Sequence, residues 1–196
     1  MARYFINPAY LLKHVLTDAG AQFAREGSIQ LRQFLIPDVA RRLSAALSRA
    51  TSRAHVIPDQ YRCHEPNTLP RLARELQRVL AKTHEIRSIV STIVQKPVRF
   101  RDACVCVYAH GDYTLLHDKN REPPGYDIIL DLTPRWDPRS CGYHSYVKDG
   151  DELVRVEPSF NTLTIVRRPA SVRRFVKYVN HHAGKDKRIV IEARFA

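Results

Sequence analysis

The hydrophobic period of this chain changes abruptly at Pro97, and that change limits the folds it can adopt. Before Pro97, apolar residues recur at helical spacing, as in the stripe from Leu72 to Ile93. After Pro97, short segments rich in β-branched and aromatic residues alternate with turn signals such as Asp149-Gly150. A helical half followed by a β half predicts an α+β protein with an antiparallel sheet.

The first half is predicted to contain about three helices. The first begins at Asn7-Pro8 and ends at Gly20, the second is capped by Asp38, and the third runs from about Pro70 to Val94. A short strand-like run, residues 28–34, separates the first two. The second half is predicted to contain eight strands: Val98–Tyr108, Tyr113–His117, Tyr126–Leu132, Gly142–Val147, Leu153–Val156, Thr162–Arg167, Arg173–Val179 and Arg188–Phe195.

This order of elements predicts a jelly roll backed by helices. The 196 residues are close to the size of one domain, so we expect residues 1–96 to support a jelly-roll core formed by 97–196. With 44% hydrophobic and 27% charged residues, the composition excludes wholesale disorder. No apolar run approaches membrane-spanning length and the first residues do not resemble a signal peptide, so we expect a cytoplasmic protein that contacts no membrane.

The net charge of +12 is compatible with binding to nucleic acid. The excess is spread along the chain, which favours a solvated basic surface over a dedicated phosphate-binding face. The alternative is a basic interaction module that binds nucleic acid through phosphates. Its cations would be Arg167, Arg168, Arg173 and Lys177, with Phe175 and Tyr178 as stacking rings. The four cysteines form no CxxC pair, and we interpret them as buried free thiols in a reducing compartment.

One ordered set of fragments in the β half is more specific than composition. In order along the chain they are Tyr108–His117, Ile128–Asp137, Cys141-Gly142, Pro158–Ile165 and Arg188–Phe195. Together they resemble the double-stranded β-helix of the 2-oxoglutarate/Fe(II) dioxygenases of the prolyl-hydroxylase type. The resemblance implies a site in which a His-x-Asp pair and a distant His hold iron on one face, leaving positions for the keto acid and oxygen.

The chain departs from that pattern at two of the three ligand positions. His117 stands where the first His belongs, but Lys119 occupies the carboxylate position and Arg174 the position of the closing His. The resemblance therefore implies a degenerate triad, and we expect no Fe(II) there because neither cation has a lone pair for a metal. Arg188 matches the family's arginine for the far carboxylate of 2-oxoglutarate, and Tyr108 matches a polar residue of that pocket.

Other residues could supply only some of the ligands that a metal site needs. Asp118 could serve with His117 if the backbone turned there, which would leave an active hydroxylase with a rearranged site. The pair His181-His182 falls at the opposite end of its strand from Arg174. For His144 we expect a surface or hydrogen-bonded role.

Without iron, the cations Lys119, Arg174 and Arg188 are predicted to face inward and to bind a small carboxylate or phosphate. The sequence thus favours a dioxygenase-fold protein acting as a non-oxidative enzyme or as a small-anion-binding protein. Two alternatives stay open for the pocket. The cations could point outward from a vestigial pocket, or the acids Asp118, Asp131 and Glu192 could neutralise them internally.

Overall fold

The computed structural model describes residues 4–58, 60–82, 84–116 and 123–196. These residues form four α-helices and eleven β-strands. The helices are α1 (Lys13–Glu26), α2 (Pro37–Arg49), α3 (Arg71–Lys82) and α4 (His84–Val94). The strands are β1 (Ser28–Arg32), β2 (Ser52–Ile57), β3 (Tyr61–Pro66), β4 (Phe100–Tyr108), β5 (Tyr113–Thr114), β6 (Gly125–Asp131), β7 (His144–Lys148), β8 (Asp151–Val156), β9 (Thr162–Arg168), β10 (Arg173–Val176) and β11 (Arg188–Phe195).

The strands form one large and one small antiparallel sheet. The large sheet has the order β1-β9-β6-β11-β4-β3-β2, with β5 paired to β3, and the small sheet has the order β10-β7-β8. Eight strands, β4 to β11, follow Pro97, which confirms the predicted jelly-roll core. The large sheet also takes β1, β2 and β3 from the first 96 residues, so those residues supply strands as well as helices.

The central strand β11 of the large sheet is buried on both faces. On β11, Ile189 and Ile191 belong to the hydrophobic core shared with the helices, whereas Val190 belongs to a second core shared with Tyr146 of the small sheet. Successive side chains of a strand point to opposite faces, so Arg188 and Glu192 lie on the same face as Val190. Two charged side chains of β11 are thereby carried into the space between the sheets.

The helix boundaries differ from the prediction at several points. Asn7 caps a short 3₁₀ helix, and α1 itself begins at Lys13 and continues past Gly20 to the left-handed Gly27 (φ 72°). Gly20 allows α1 to approach α4, because a Cβ there would lie 3.2 Å from the carbonyl oxygen of Ile93. Its role is close packing and not helix termination.

Two further helix predictions need correction. The predicted helix from Pro70 to Val94 is two helices, α3 and α4. Asp38 lies in the first turn of α2, whose cap position is Ile36.

The hairpin of β2 and β3 was not predicted. Both strands are largely half-buried or exposed, so their sequences lack the period-two burial that marks a strand. Only tertiary pairing through His64 and Val107 attaches β3 to β4.

The four cysteines are free thiols, as predicted. Cys63 and Cys106 are buried, whereas Cys104 and Cys141 are partly exposed, so burial was predicted correctly for two of them. Among the described residues, no helix is long and apolar enough to cross a membrane.

Candidate functional site

A cavity of about 550 Å³ opens beside the small sheet, where the dioxygenase resemblance places the iron. Tyr108 at the end of β4 and Arg174 on β10 line it. Arg188, the first residue of β11, pairs in register with Tyr108 but is fully buried and is not a lining residue. The remaining lining residues are Gln60, Tyr61, Thr114, Leu115, Leu116, His144, Asp149, Arg168, Ala170, Ser171, Val172, Arg173, Phe175, Val176 and Glu192.

Three predicted site residues, His117, Asp118 and Lys119, lie outside the described residues. Their part in an iron site or an anion site therefore stays a prediction. The described part of the site can be built from β4, β7, β9, β10 and β11.

Glu192 is the centre of the cavity base. Its Oε2 accepts a hydrogen bond from Arg174 Nη1 at 2.8 Å, and its Oε1 lies 3.0 Å from His144 Nε2. The Tyr108 hydroxyl donates to the same Oε1 at 3.3 Å. Glu192 is thus held by a guanidinium, an imidazole and a phenol, one from each of three neighbouring strands.

The charges at the base are set by this packing. Burial alone would raise the pKa of Glu192, but Arg174, His144 and Arg188 together hold that pKa well below its usual range. Burial, followed by the nearby Arg188, lowers the pKa of His144. Glu192 is therefore ionised and His144 is neutral at neutral pH, so the Glu192–Arg174 contact is a true ion pair.

A second buried carboxylate, Asp127 on β6, extends the cluster. It accepts hydrogen bonds from Arg168 Nε at 3.1 and 3.0 Å and from the Tyr146 hydroxyl at 3.1 Å. Arg174 Nη1 lies 3.7 Å from Asp127 Oδ2, so Arg174 joins the two carboxylates. Burial, with Asp127 beside it, raises the pKa of Tyr146 well above its usual value, and the phenol remains a donor.

Arg188 points inward, but its partners are internal. Its Nε donates to Asp131 Oδ2 at 3.1 Å and its Nη1 donates to the carbonyl oxygen of Gly142. The other oxygen of Asp131 accepts from the backbone N–H of Thr133 at 2.9 Å. The guanidinium that the resemblance assigns to 2-oxoglutarate is thus engaged by a carboxylate of the chain itself.

Three arginines of the site, all buried or half-buried, are balanced within the protein. Arg168, Arg174 and Arg188 face the three carboxylates Asp127, Asp131 and Glu192. Of the alternatives that the sequence left open, this geometry favours internal neutralisation over an obligatory anion. It also identifies two site residues that the sequence did not single out, Asp127 and Tyr146. Arg168 was considered only as a nucleic-acid contact, whereas the structure pairs it with Asp127. One signal was available, because Asp127 and Asp131 interrupt an apolar strand four residues apart and so share one face.

The described residues do not fit a facial-triad iron site. They contain no group of three His, Cys, Asp or Glu side chains placed to hold a metal ion. His144 contributes the imidazole at the cavity base, and its Nε2 is directed at Glu192. Arg174, at the closing-His position, brings a positive charge that would repel a ferrous ion.

The residues proposed to bind nucleic acid differ in their environments. Arg168 is buried against Asp127, and the guanidinium of Arg167 lies over the ring of Phe23, 5.1 Å from its centroid. Phe175 is a partly buried lining residue of the cavity, whereas Tyr178 is 46% exposed. Arg168 is thus engaged inside the protein, and nucleic-acid binding stays a prediction.

Comparison with known sequences matches residues 59–196 to the family described as oxoglutarate and iron-dependent oxygenase degradation C-term. The chain is 37% identical over 76 residues to mouse prolyl 3-hydroxylase OGFOD1, an alignment covering 37% of this chain and 14% of that protein. It is 26% identical to prolyl 3,4-dihydroxylase OGFOD1 of Ostreococcus tauri over 98% of this chain and 47% of that protein. The chain thus spans about half or less of the length of these relatives.

Solved structures share the fold at low sequence identity. A 2OG-Fe(II) oxygenase family oxidoreductase from Burkholderia pseudomallei aligns with a TM-score of 0.67 at 14% identity, covering 92% of this chain and 90% of that one. A Trichoplax adhaerens prolyl hydroxylase, solved with a hypoxia inducible factor oxygen degradation domain peptide fragment, aligns with a TM-score of 0.65 at 13% identity. That alignment covers 93% of this chain and 89% of the hydroxylase. These similarities establish the double-stranded β-helix fold.

Proposed function

Because this chain belongs to the oxoglutarate and iron-dependent oxygenase degradation C-term family, within the 2-oxoglutarate/Fe(II) oxygenase superfamily, we propose that it keeps the prolyl-hydroxylase-like fold without the iron chemistry. The chain would act as a non-oxidative protein that binds a small ligand in its cavity. The observation that carries this proposal is the ion pair of Arg174 and Glu192 at 2.8 Å, since the family resemblance expects a metal-binding His where Arg174 stands.

The ion pair opposes iron in two ways. A guanidinium has no lone pair to donate, and its charge disfavours a nearby dication. Displacing Arg174 to admit a metal would leave Glu192, which is 6% exposed, without its strongest partner. Breaking a buried pair in this way costs about 3–5 kcal/mol, which opposes metal entry at this position.

For the ligand, we propose a small carboxylate or phosphate near the cavity rim. Arg173 is exposed at that rim and Arg174 lies at the base, so both reach the cavity. Lys119, close in sequence to the lining residues Leu115 and Leu116, is the third candidate cation. Arg188 is left out, because Asp131 and Gly142 engage its guanidinium away from the cavity.

Metal binding tests the first part of this proposal. The purified chain is incubated with Fe(II) under anaerobic conditions, desalted and assayed for iron, with and without 2-oxoglutarate. We expect less than stoichiometric iron and no succinate formed from 2-oxoglutarate. Stoichiometric iron that is lost in His117→Ala would contradict the proposal and favour the rearranged site of His117 and Asp118.

Calorimetric titration with succinate, 2-oxoglutarate and phosphate tests the second part. We expect binding that weakens in Arg173→Ala, with Arg101→Ala, an exposed arginine on β4 outside the cavity lining, as the matched control. If no anion binds the native chain with a dissociation constant below about 1 mM, which is about −4 kcal/mol, the anion proposal fails. The loss of iron chemistry would stand independently.

A further inference from the structure

A pair of cysteines on β4 lies next to the cavity base and has no part in the proposed function. Cys104 and Cys106 are two residues apart on one strand, so both point to the face between the sheets. Their sulfur atoms are 3.5 Å apart, within hydrogen-bond distance for thiols. Cys63 on β3 lies near them, because the pairing of His64 with Val107 brings it opposite Tyr108.

The three thiols differ in their access to solvent. Cys63 and Cys106 are buried members of the second core, whereas Cys104 is partly exposed at its edge. The hydrogen bond to Cys104 and burial raise the pKa of Cys106 well above its usual value, and burial raises the pKa of Cys63 to about 12. Cys106 therefore keeps its proton and can donate it to the sulfur of Cys104.

The charged groups that face Cys104 balance one another. Its direct cross-strand neighbour on β11 is Glu192, whose negative charge would oppose a second anion. Arg174 compensates that charge, since its Nη1 lies 2.8 Å from Glu192. The accessible sulfur thus has a thiol donor on its own strand and a neutralised acid across from it.

We propose that Cys104 and Cys106 are a reversible dithiol that hydrogen peroxide or an organic peroxide oxidises to a disulfide, with Cys104 as the attacking sulfur and Cys106 as the resolving one. The Cys104 thiolate attacks a peroxide oxygen, the O–O bond breaks, and Cys104 becomes a sulfenic acid while hydroxide, or the alkoxide of an organic peroxide, leaves. The Cys106 sulfur loses its proton and attacks Cys104, so the S–S bond forms and water leaves. With hydrogen peroxide, two thiols give up two electrons and one peroxide becomes two waters.

Strand geometry predicts that this disulfide is easily reduced. Alternate residues of a strand have Cα atoms about 6.6 Å apart, which is near the upper limit of about 6.8 Å for a disulfide. The strand must shorten locally as the sulfur atoms close, and a bridge under such strain is labile to thiols. The pair is therefore suited to reversible oxidation and not to permanent cross-linking.

Trypsin cleavage separates Cys63 from the Cys104 and Cys106 pair, so peptide masses test the pairing directly. Cleavage after Arg101 and Lys119 leaves Cys104 and Cys106 in one peptide, whereas cleavage after Arg62 puts Cys63 in another. After brief exposure of the native chain to hydrogen peroxide and alkylation of free thiols, we expect the first peptide unalkylated and lighter by two hydrogens. A dithiol reductant should restore alkylation at both positions.

Matched serine variants distinguish this pair from other outcomes. Cys63→Ser and Cys141→Ser should form the bridged peptide as the native chain does, since neither residue takes part. In Cys106→Ser, the Cys104 sulfenic acid should persist and react with dimedone. A peptide from the native chain that links Cys63 to Cys104, or Cys104 oxidised to sulfinic acid with no bridged peptide, would overturn the proposal.

Discussion

Replacing Glu192 with Gln is the most informative perturbation of the cavity base. The variant keeps the shape of the side chain but removes the charge that holds Arg174 at 2.8 Å. Arg174 retains Asp127, whose oxygen is farther away at 3.7 Å. Removing one partner of a buried pair costs about 3–5 kcal/mol, and the side chain of Arg174 is 19% exposed, so we expect the lower end, about 3 kcal/mol.

The expected loss is measurable by urea unfolding and by thermal melting at neutral pH. For a chain of this size, about 3 kcal/mol corresponds to a melting temperature lower by about 6–12 °C. The control is Asp102→Asn, which breaks an exposed pair between Asp102 on β4 and Arg194 on β11. Because exposed pairs contribute about 0–1 kcal/mol, the control should change stability little.

The effect of Glu192→Gln also has a predicted dependence on pH. The pKa of Glu192 is lower in the folded chain than in the unfolded chain. The stabilisation by ionised Glu192 is therefore fully present above the unfolded pKa, and it is lost as pH falls toward the depressed folded pKa. The difference in unfolding free energy between the native chain and the variant should shrink below about pH 4.3. A variant within 1 kcal/mol of the native chain at pH 7, or a difference that does not depend on pH, would refute the ion-pair argument.

Two other predictions address the same cavity. The double variant Lys119→Asp/Arg174→His, together with His117, restores the two-imidazole, one-carboxylate pattern. It should therefore bind Co(II) and show a visible absorption band that neither single variant shows. Absence of Co(II) binding would mean that the motif is misaligned. Because the pKa of His144 is lowered in the folded chain, stability should fall as pH drops below about 6.5, and His144→Gln should reduce that fall while the exposed His110→Gln does not. Parallel slopes of unfolding free energy between pH 7.5 and 5.5 for the native chain and His144→Gln would contradict this.

The elements with strong local signals were predicted well. The last strand, Arg188–Phe195, has the predicted boundaries, and α2 follows Pro37 as expected. The weak elements were missed or misplaced. Gly20 was predicted to end a helix, but α1 continues past it. A glycine at this position allows the close approach of α4, whose residues are more than seventy positions away.

The site shows the same division. The departures at Lys119 and Arg174 from the family pattern are visible in the residues alone, and they suffice to question an iron centre. That Arg188 points inward was also expected, because it matches the family's arginine for 2-oxoglutarate. Its partner was not assigned, since Asp131 is 57 positions away and reaches Arg188 only through the pairing of β6 with β11.

The sequence by itself determined a helical first half, an antiparallel jelly-roll second half, and the presence of Lys119 and Arg174 where the family resemblance places iron ligands. These properties depend on residue type and on periods of two or 3.6 residues, which are local. Only the tertiary structure decided how Arg168, Arg174 and Arg188 are neutralised, because their partners Asp127, Glu192 and Asp131 lie on other strands of the two packed sheets. The charge state of a buried site depends on distances between side chains remote in sequence, and no local pattern encodes those distances.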